Sequence, residues 1–355
     1  MTKVLIAMSG GVDSSVAAKL LCDEGCECIG CTMKLYDNCD AGLPRGRTCC
    51  SLDDVEDARS VAFSLGMRYY VFNFKDDFRE KVIKKFASGY LRGQTPNPCI
   101  DCNRYMKFDK LLERAKLLGC DKLATGHYAR IEFDGEKYRL KKALDKSKDQ
   151  SYVLYMLTQE QLAHTLFPLG SLNKTDTRAI ADAADLSSAR KPDSQDICFV
   201  PDGDYAAAIE RLTGEKAPCG DFIDASGKIL GTHRGITHYT VGQHRGLGLS
   251  LPERRYVCGI DAESGTVTLG GSDELYSSTA EVHDFNWISG EAPSEPIRCT
   301  AKIRYRQPEQ PATAIAHKGG SITIQFDSPQ RAVTPGQAAV LYDGDTVLGG
   351  GEIVR

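Results

Sequence analysis

No apolar run in this chain approaches the roughly 18 residues that a membrane-spanning helix needs, so neither such a helix nor a membrane partner is expected. An export signal is missing too. The short apolar stretch in "MTKVLIAMSGG" runs into a glycine turn instead of a small-residue cleavage site, which reads as a first strand and predicts a cytoplasmic protein. Basic charge is not in excess: 44 Lys and Arg stand against 48 Asp and Glu, a formal net charge of −4. Any nucleic acid would therefore have to be held by a local basic patch. Neither GxxxxGK followed by Ser or Thr nor GxGxxG occurs, which sets aside the Walker A and dinucleotide fingerprints.

Cysteine, by contrast, is abundant. Of 14 cysteines in 355 residues, ten lie before Asp121. In a chain this long without an export signal, these are expected as reduced thiols, metal ligands or catalytic groups and not as a disulfide framework. The stretch "NPCIDC", from Asn97 to Cys102, can hold a metal, cycle as a dithiol or attack a substrate, and its spacing leaves all three open. Cys22, Cys26, Cys28 and Cys31 invite a metal reading as well. However, "CECIGCTM" has the pattern of a central parallel strand buried on both faces, which favours core thiols. Cys49 and Cys50, in "RGRTCCS", read as an exposed loop able to ligate or relay sulfur.

The first third alternates strands (Lys3–Met8, Cys26–Lys34, Tyr69–Phe74, Lys122–His127) with helices (Ser14–Glu24, Leu52–Leu65, Phe108–Leu118). That order predicts an α/β fold, a doubly wound parallel sheet with ligands at the carboxyl ends of its strands. Ala129–Leu140 reads as a hairpin turned at Asp134-Gly135 and added to that sheet. Helical segments dominate from Thr158 to about Leu212. From about Ala217, short β-rich runs separated by turns argue for an all-β barrel of ~120 residues. The expected division is a catalytic α/β domain over 1–157, a small central α+β domain over 158–217 carrying Cys198, and a C-terminal β-barrel domain over 218–355.

"MSGGVDSS", Met8–Ser15, joins the first strand to the first helix. Gly10 and Gly11 allow a tight turn whose N–H groups, with those of the helix start, favour an anion. Asp13 suits such a cradle if Mg²⁺ shields the phosphates. The pattern SGGxDSS after strand one resembles the PP-loop of the N-type ATP pyrophosphatases, whose domain is adenine nucleotide alpha hydrolase-like. These enzymes adenylate a carbonyl or carboxylate oxygen and release pyrophosphate. The resemblance implies that ATP with Mg²⁺ is bound by Ala7, Met8, Ser9, Gly10, Gly11, Val12, Asp13 and Ser14, with Met33 and Gly126.

"TPNPCIDCNRYMKF", "ATGHYAR", "DQSYVLY", "KPDSQDICFVPDGDY", "GQHRGLGL" and "AKIRYRQ" extend the likeness over nearly the whole chain. Together they resemble the MnmA/TrmU family of tRNA-uridine 2-sulfurtransferases. The resemblance implies ATP-dependent 2-thiolation of the wobble uridine of tRNAs for Lys, Glu and Gln. A uracil C2 carbonyl is a poor electrophile; adenylating its oxygen makes AMP a leaving group for an attacking sulfur nucleophile. By the same resemblance Cys198 carries a persulfide and Cys102 is the partner nucleophile. The two then close a disulfide that a reductant must reopen. The sulfur donor would be a cysteine desulfurase, a sulfur-relay protein or free sulfide.

The chain departs from the family at one position. Cys99 stands where relatives keep an activating Asp, and Asp101, two residues on, is expected to point elsewhere. Cys99, Cys102 and Cys198 make three thiolates, enough for a 4Fe-4S cluster with one iron open to hydrosulfide. Persulfide and cluster both stay open at this point, whereas structural zinc would need a fourth protein ligand. The tRNA contacts implied by the family are Asn97, Pro98, Cys99, His127, Lys148, Asp149, Gln150, Arg304, Tyr305 and Gln337. "KIRYRQ" alternates cations with Tyr305 along an expected strand, so that one face would present Lys302, Arg304 and Arg306 to phosphates. Arg234, Arg245, Arg254 and Arg255 are further cations expected to add salt-dependent affinity.

Overall fold

The computed structural model describes residues 1–36, 52–191, 197–200 and 202–355; Cys49 and Cys50 lie outside them. Among the described residues, seven strands belong to the first half of the chain: β1 (Lys3–Ala7), β2 (Glu27–Lys34), β3 (Arg68–Asn73), β4 (Lys122–Thr125), β5 (Ala129–Phe133), β6 (Tyr138–Lys142) and β7 (Thr165–Leu166). Five of them form a parallel sheet in the order β3-β2-β1-β4-β7. Val4, Leu5 and Ile6 of the central β1 are wholly buried, as the continuous apolar run requires of a strand covered on both faces. Val4 and Ile6 pack with the helices Val12–Asp23, Leu52–Ser64 and Lys174–Ala183. Leu5 faces the other way, into a core shared with Phe78, Phe86, Met106, Phe108 and the barrel residues Val340 and Tyr342. The chain leaves β1 toward β2 and later returns on its other side as β4. This is the switch point where open α/β sheets bind ligands.

The hairpin β5–β6 forms as expected, but not on the parallel sheet. Because β7 fills the place beside β4, the hairpin instead meets the C-terminal barrel, with Lys141 paired to Thr346. The β-rich end is also two units where one barrel was expected. Strands β8 (Gly220–Ile223), β9 (Ile229–His233), β10 (Tyr256–Asp261) and β11 (Thr266–Gly270) form a four-stranded sheet around Phe222, Val257, Val267 and Leu269. Strands β12 (Tyr276–Trp287), β13 (Ile297–Lys302), β14 (Gln310–Ala316), β15 (Ile322–Arg331), β16 (Ala338–Asp343) and β17 (Thr346–Ile353) make an antiparallel barrel closed by β12 against β17. Alternating apolar residues announce strands, but which strands share a core depends on pairing between distant segments.

A helical stretch expected from Phe108 begins ten residues earlier. Asn97 caps it, its side-chain oxygen accepting from Cys99 N at 3.1 Å, and Pro98 takes the first helical position, where its missing N–H costs nothing. The chain continues as a π-wound segment, Cys102–Leu111, and ends as the helix Leu112–Leu117. Phe108, Met106 and Leu111 are buried along it and fix which face turns inward. No helix among the described residues is long and apolar enough to cross a membrane.

Candidate active site

The carboxyl ends of β1, β2 and β4 converge on the glycine-rich loop. Gly10 has φ +75°, and a Cβ there would strike the backbone carbonyl of Asp54, so the turn admits only glycine. Ser14 Oγ accepts from Ser9 N and donates to Gly11 O, both at 3.1 Å. Ser15 Oγ donates to Gly11 O at 2.9 Å and accepts from Ser188 Oγ at 2.8 Å. From β4, Gly126 backs directly onto the start of the helix: a Cβ on it would lie 2.8 Å from Ser14 N. Thr32 Oγ1 donates to Met8 O at 2.6 Å, and Met33 packs at the edge of the neighbouring core. Residues 7–14, Met33 and Gly126 thus lie at the carboxyl ends of three adjacent strands, with helix N–H groups suited to an anion.

Asp13 does not stand in the loop unaccompanied. Its Oδ1 accepts from Tyr128 OH at 2.8 Å and from Lys174 Nζ at 2.7 Å. Sequence reasoning missed Lys174; the only local signal there, the Asn173/Asp176 capping box, marks a helix start and says nothing of a partner across the fold.

A second site lies at the helix start after Asn97. Cys99 is exposed and lines a cavity of about 790 Å³, within the range of sites that hold nucleotide-sized ligands. Asn97, Pro98, Gln150, Tyr305 and Gln337 share its wall. Cys102 and Cys198 do not line it; both are half-buried and pack against the same core. Two anchors place Cys198: Tyr36 OH donates to its carbonyl at 2.9 Å, and Phe199 sits edge-on to Phe78 and Phe86. Asp101 turns away from the cavity. It is buried, its Oδ1 accepting from Lys85 Nζ at 2.9 Å; burial pushes its carboxyl up while Lys85 opposes that shift. No group of three or more His, Cys, Asp or Glu is gathered to hold a metal ion among the described residues. That includes Cys22, Cys26, Cys28 and Cys31, which pack against the apolar cores.

The remaining predicted contacts divide. Tyr305 and Arg306 line the cavity, but the expected strand through "KIRYRQ" ends at Lys302 and the chain then turns. One face therefore cannot present all three cations. Arg304 is drawn inward, donating to Val241 O at 3.0 Å and Thr334 Oγ1 at 2.6 Å, where it ties the four-stranded sheet unit to the barrel. Lys302 lies over the rings of Tyr152 and Tyr305. His127 is buried, with Nδ1 2.7 Å from Thr125 Oγ1, and burial holds its pKa well below the usual value. Asp149 organises its own loop, accepting from Ala143 N, Ser151 N and Ser151 Oγ, and Lys148 precedes it in the same turn. Gln337 Nε2 donates to Thr95 O, and Thr95 N donates to Pro335 O at 2.9 Å, so the barrel clamps the segment leading to Cys99. The opposite wall holds Arg234, expected as a cation for RNA, and Gln243 of "GQHRGLGL", together with His238, which the sequence reading missed.

Comparison with known proteins matches this architecture unit by unit. A model described as tRNA methyl transferase HUP domain matches residues 2–202, one described as tRNA methyl transferase PRC-barrel domain matches 208–271, and one described as aminomethyltransferase beta-barrel domain matches 277–353. The chain is 52% identical over 355 residues to the tRNA-specific 2-thiouridylase MnmA of Acetivibrio thermocellus, covering 99% of each chain. It is 51% identical to tRNA-specific 2-thiouridylase MnmA 2 of Caldanaerobacter subterraneus subsp. tengcongensis, covering 99% of this chain and 98% of that one. Against the enzyme of the same name from Clostridioides difficile the identity is 48%, with 99% and 98% covered.

Proposed function

This chain belongs to the tRNA-specific 2-thiouridylase family, and from that premise we propose that it thiolates the wobble uridine of tRNAs for Lys, Glu and Gln at the expense of ATP. The observation that carries the reading is the cavity beside Cys99. It is large enough for a flipped nucleotide, and its wall joins Asn97, Pro98 and Cys99 to Gln150, Tyr305 and Gln337, with Ile197 next to Cys198.

ATP fits the glycine loop, where Gly10 lets the turn close against the Asp54 backbone and Gly126 lets the end of β4 meet the helix start. Without a gathered carboxylate set among the described residues, Mg²⁺ would be held chiefly by the phosphates themselves, with Asp13 the loop's own acid. Uridine O2 attacks the α-phosphorus and pyrophosphate leaves with the bond's electron pair. The terminal sulfur of a persulfide on Cys198 then adds to C2. Cys102 attacks the inner sulfur, the S–S electron pair passes to the sulfur on C2, and AMP departs. The Cys102–Cys198 disulfide that results is reopened by an external thiol. Cysteine desulfurase or a relay protein is the expected source of the persulfide.

The half-buried placement of Cys102 and Cys198 against one core supports the persulfide route. A 4Fe-4S cluster on Cys99, Cys102 and Cys198 fits less well, since these thiols are not gathered into a ligand set. The test is tRNA-dependent pyrophosphate release followed by analysis for 2-thiouridine. Cys198→Ser should abolish thiolation and leave pyrophosphate release measurable. Thiolation that survives this change overturns the sulfur route, and brown, sulfide-active protein from anaerobic purification would restore the cluster.

A further inference from the structure

Lys174 is the residue beside the glycine loop that the proposed function leaves without a task. Its Nζ lies 2.7 Å from Asp13 Oδ1 and 5.8 Å from the centroid of the Tyr128 ring, and its side chain is only 12% exposed. We infer that Lys174 is a catalytic residue of the adenylation step, its ammonium meeting the pyrophosphate leaving group while Asp13 and Tyr128 hold it beside the loop. This rests on the ATP-dependent reading proposed above.

The loop's own chemistry raises the need for such a cation. Asp13 is the second residue of the helix Val12–Asp23, among the same N–H groups that would receive phosphate oxygens. A carboxylate there repels phosphate unless a cation offsets it. Lys174 offsets it in place, and its position is built rather than incidental. Its backbone N donates to Asp145 Oδ2 at 3.1 Å, Asn173 and Asp176 cap the helix that it begins, and Tyr128 OH lies 3.0 Å from Thr177 Oγ1 one turn on. Lys191, whose partner Asp54 packs against Gly10, is spent differently: it pairs with both Asp54 and Asp57. Lys174 has a flexible stem and three ammonium donors, so it can meet an arriving phosphate while it stays against Asp13.

In the step itself uridine O2 bonds to the α-phosphorus, and the bond from that phosphorus to the bridging oxygen breaks. The bridging oxygen keeps the electron pair and leaves with pyrophosphate, while the uracil N3 proton passes to water. The negative charge gained by pyrophosphate is what a nearby, water-poor ammonium stabilises.

The experiment measures tRNA-dependent pyrophosphate release by the full-length chain, with pyrophosphate and AMP each added as product inhibitor. Lys174→Met should lower kcat about 100-fold, the loss typical of removing one electrostatic donor from a reacting centre. It should also weaken inhibition by pyrophosphate at least tenfold, on the order of 1.4 kcal/mol, while leaving inhibition by AMP unchanged. Lys174→Arg, which keeps the charge, should retain pyrophosphate inhibition within about threefold. A merely structural role would weaken both inhibitors together, and that result, or unaltered pyrophosphate inhibition, overturns the inference. If Lys174→Met does not fold, Lys174→Gln is read by the same two inhibitors. A wild-type chain that releases no pyrophosphate with tRNA would instead sink the ATP-dependent reading itself.

Discussion

His127 sits just beyond β4 with Nδ1 2.7 Å from Thr125 Oγ1, Nε2 3.4 Å from Lys107 Nζ, and the rings of Phe108 and Phe167 against its own. Burial, and then the Lys107 charge, hold its pKa well below 6.5, so the ring stays neutral near pH 7. Neutral imidazole suits this place: Nδ1–H can donate to the threonine while Nε2 receives the lysine's proton donor. The folded chain therefore binds fewer protons at this residue than the unfolded chain once the pH drops below about 6.5. Stability that is fully present above that value is lost as the pH falls. Urea unfolding between pH 8 and pH 5 should show this decline, and His127→Asn should flatten part of it. A residual slope is expected from His233 and His238, which burial also depresses. An unchanged slope in the variant would place the effect elsewhere.

Elements set the two reactive centres through a few close approaches. The helix start at Pro98 depends on the Asn97 cap, an interaction worth about 1 kcal/mol. It fixes the direction in which Cys99 meets the cavity and Asp101 does not. On the other side of the sheet, the end of β4 touches the start of the helix Val12–Asp23 so closely that Gly126 has no room for a side chain. Gly126→Ala is expected to push Ser14 N aside and raise the KM for ATP by roughly tenfold, about 1.4 kcal/mol of lost ground-state binding, with a smaller effect on kcat. Steady-state kinetics with saturating tRNA separates the two constants. A fall in kcat alone would mean that the loop keeps its shape. Gly336, with φ +87°, plays a related part: a Cβ there would stand 2.8 Å from Thr95 N, so the barrel turn can reach the segment before Asn97.

At the scale of the whole molecule, three units meet around one cavity. The α/β unit supplies Asn97 to Cys99, the four-stranded sheet unit supplies Arg234, His238 and Gln243, and the barrel supplies Tyr305, Arg306 and Gln337. A chain with formal charge −4 can bind a polyanion only through such a local surface. Affinity for tRNA should accordingly fall linearly with the logarithm of salt concentration, and Arg234→Ala and Arg306→Ala should each reduce the slope by about 1. Filter binding over a salt series measures this. A slope unmoved by either change would remove that arginine from the RNA contact. Arg304 is expected to act through stability, because its hydrogen bonds go to Val241, Ala332 and Thr334.

The residues that were legible in the amino-acid sequence are those whose roles are local. Gly10 and Gly11 announce a turn between strand and helix, Asp134-Gly135 the turn of a hairpin, and the apolar run of β1 a strand. Each follows from backbone sterics or hydrogen bonds within a few positions, which neighbouring residues determine by themselves. What only the tertiary structure decided involves partners far apart in the chain. The hairpin β5–β6 chose the barrel because β7 had filled the place beside β4, the β-rich end divided into two cores, and Arg304 turned inward where its strand stopped. Lys174 reached Asp13 across 161 positions. Such pairings depend on which elements pack together and on the electrostatics of the space left between them, and no local pattern encodes either.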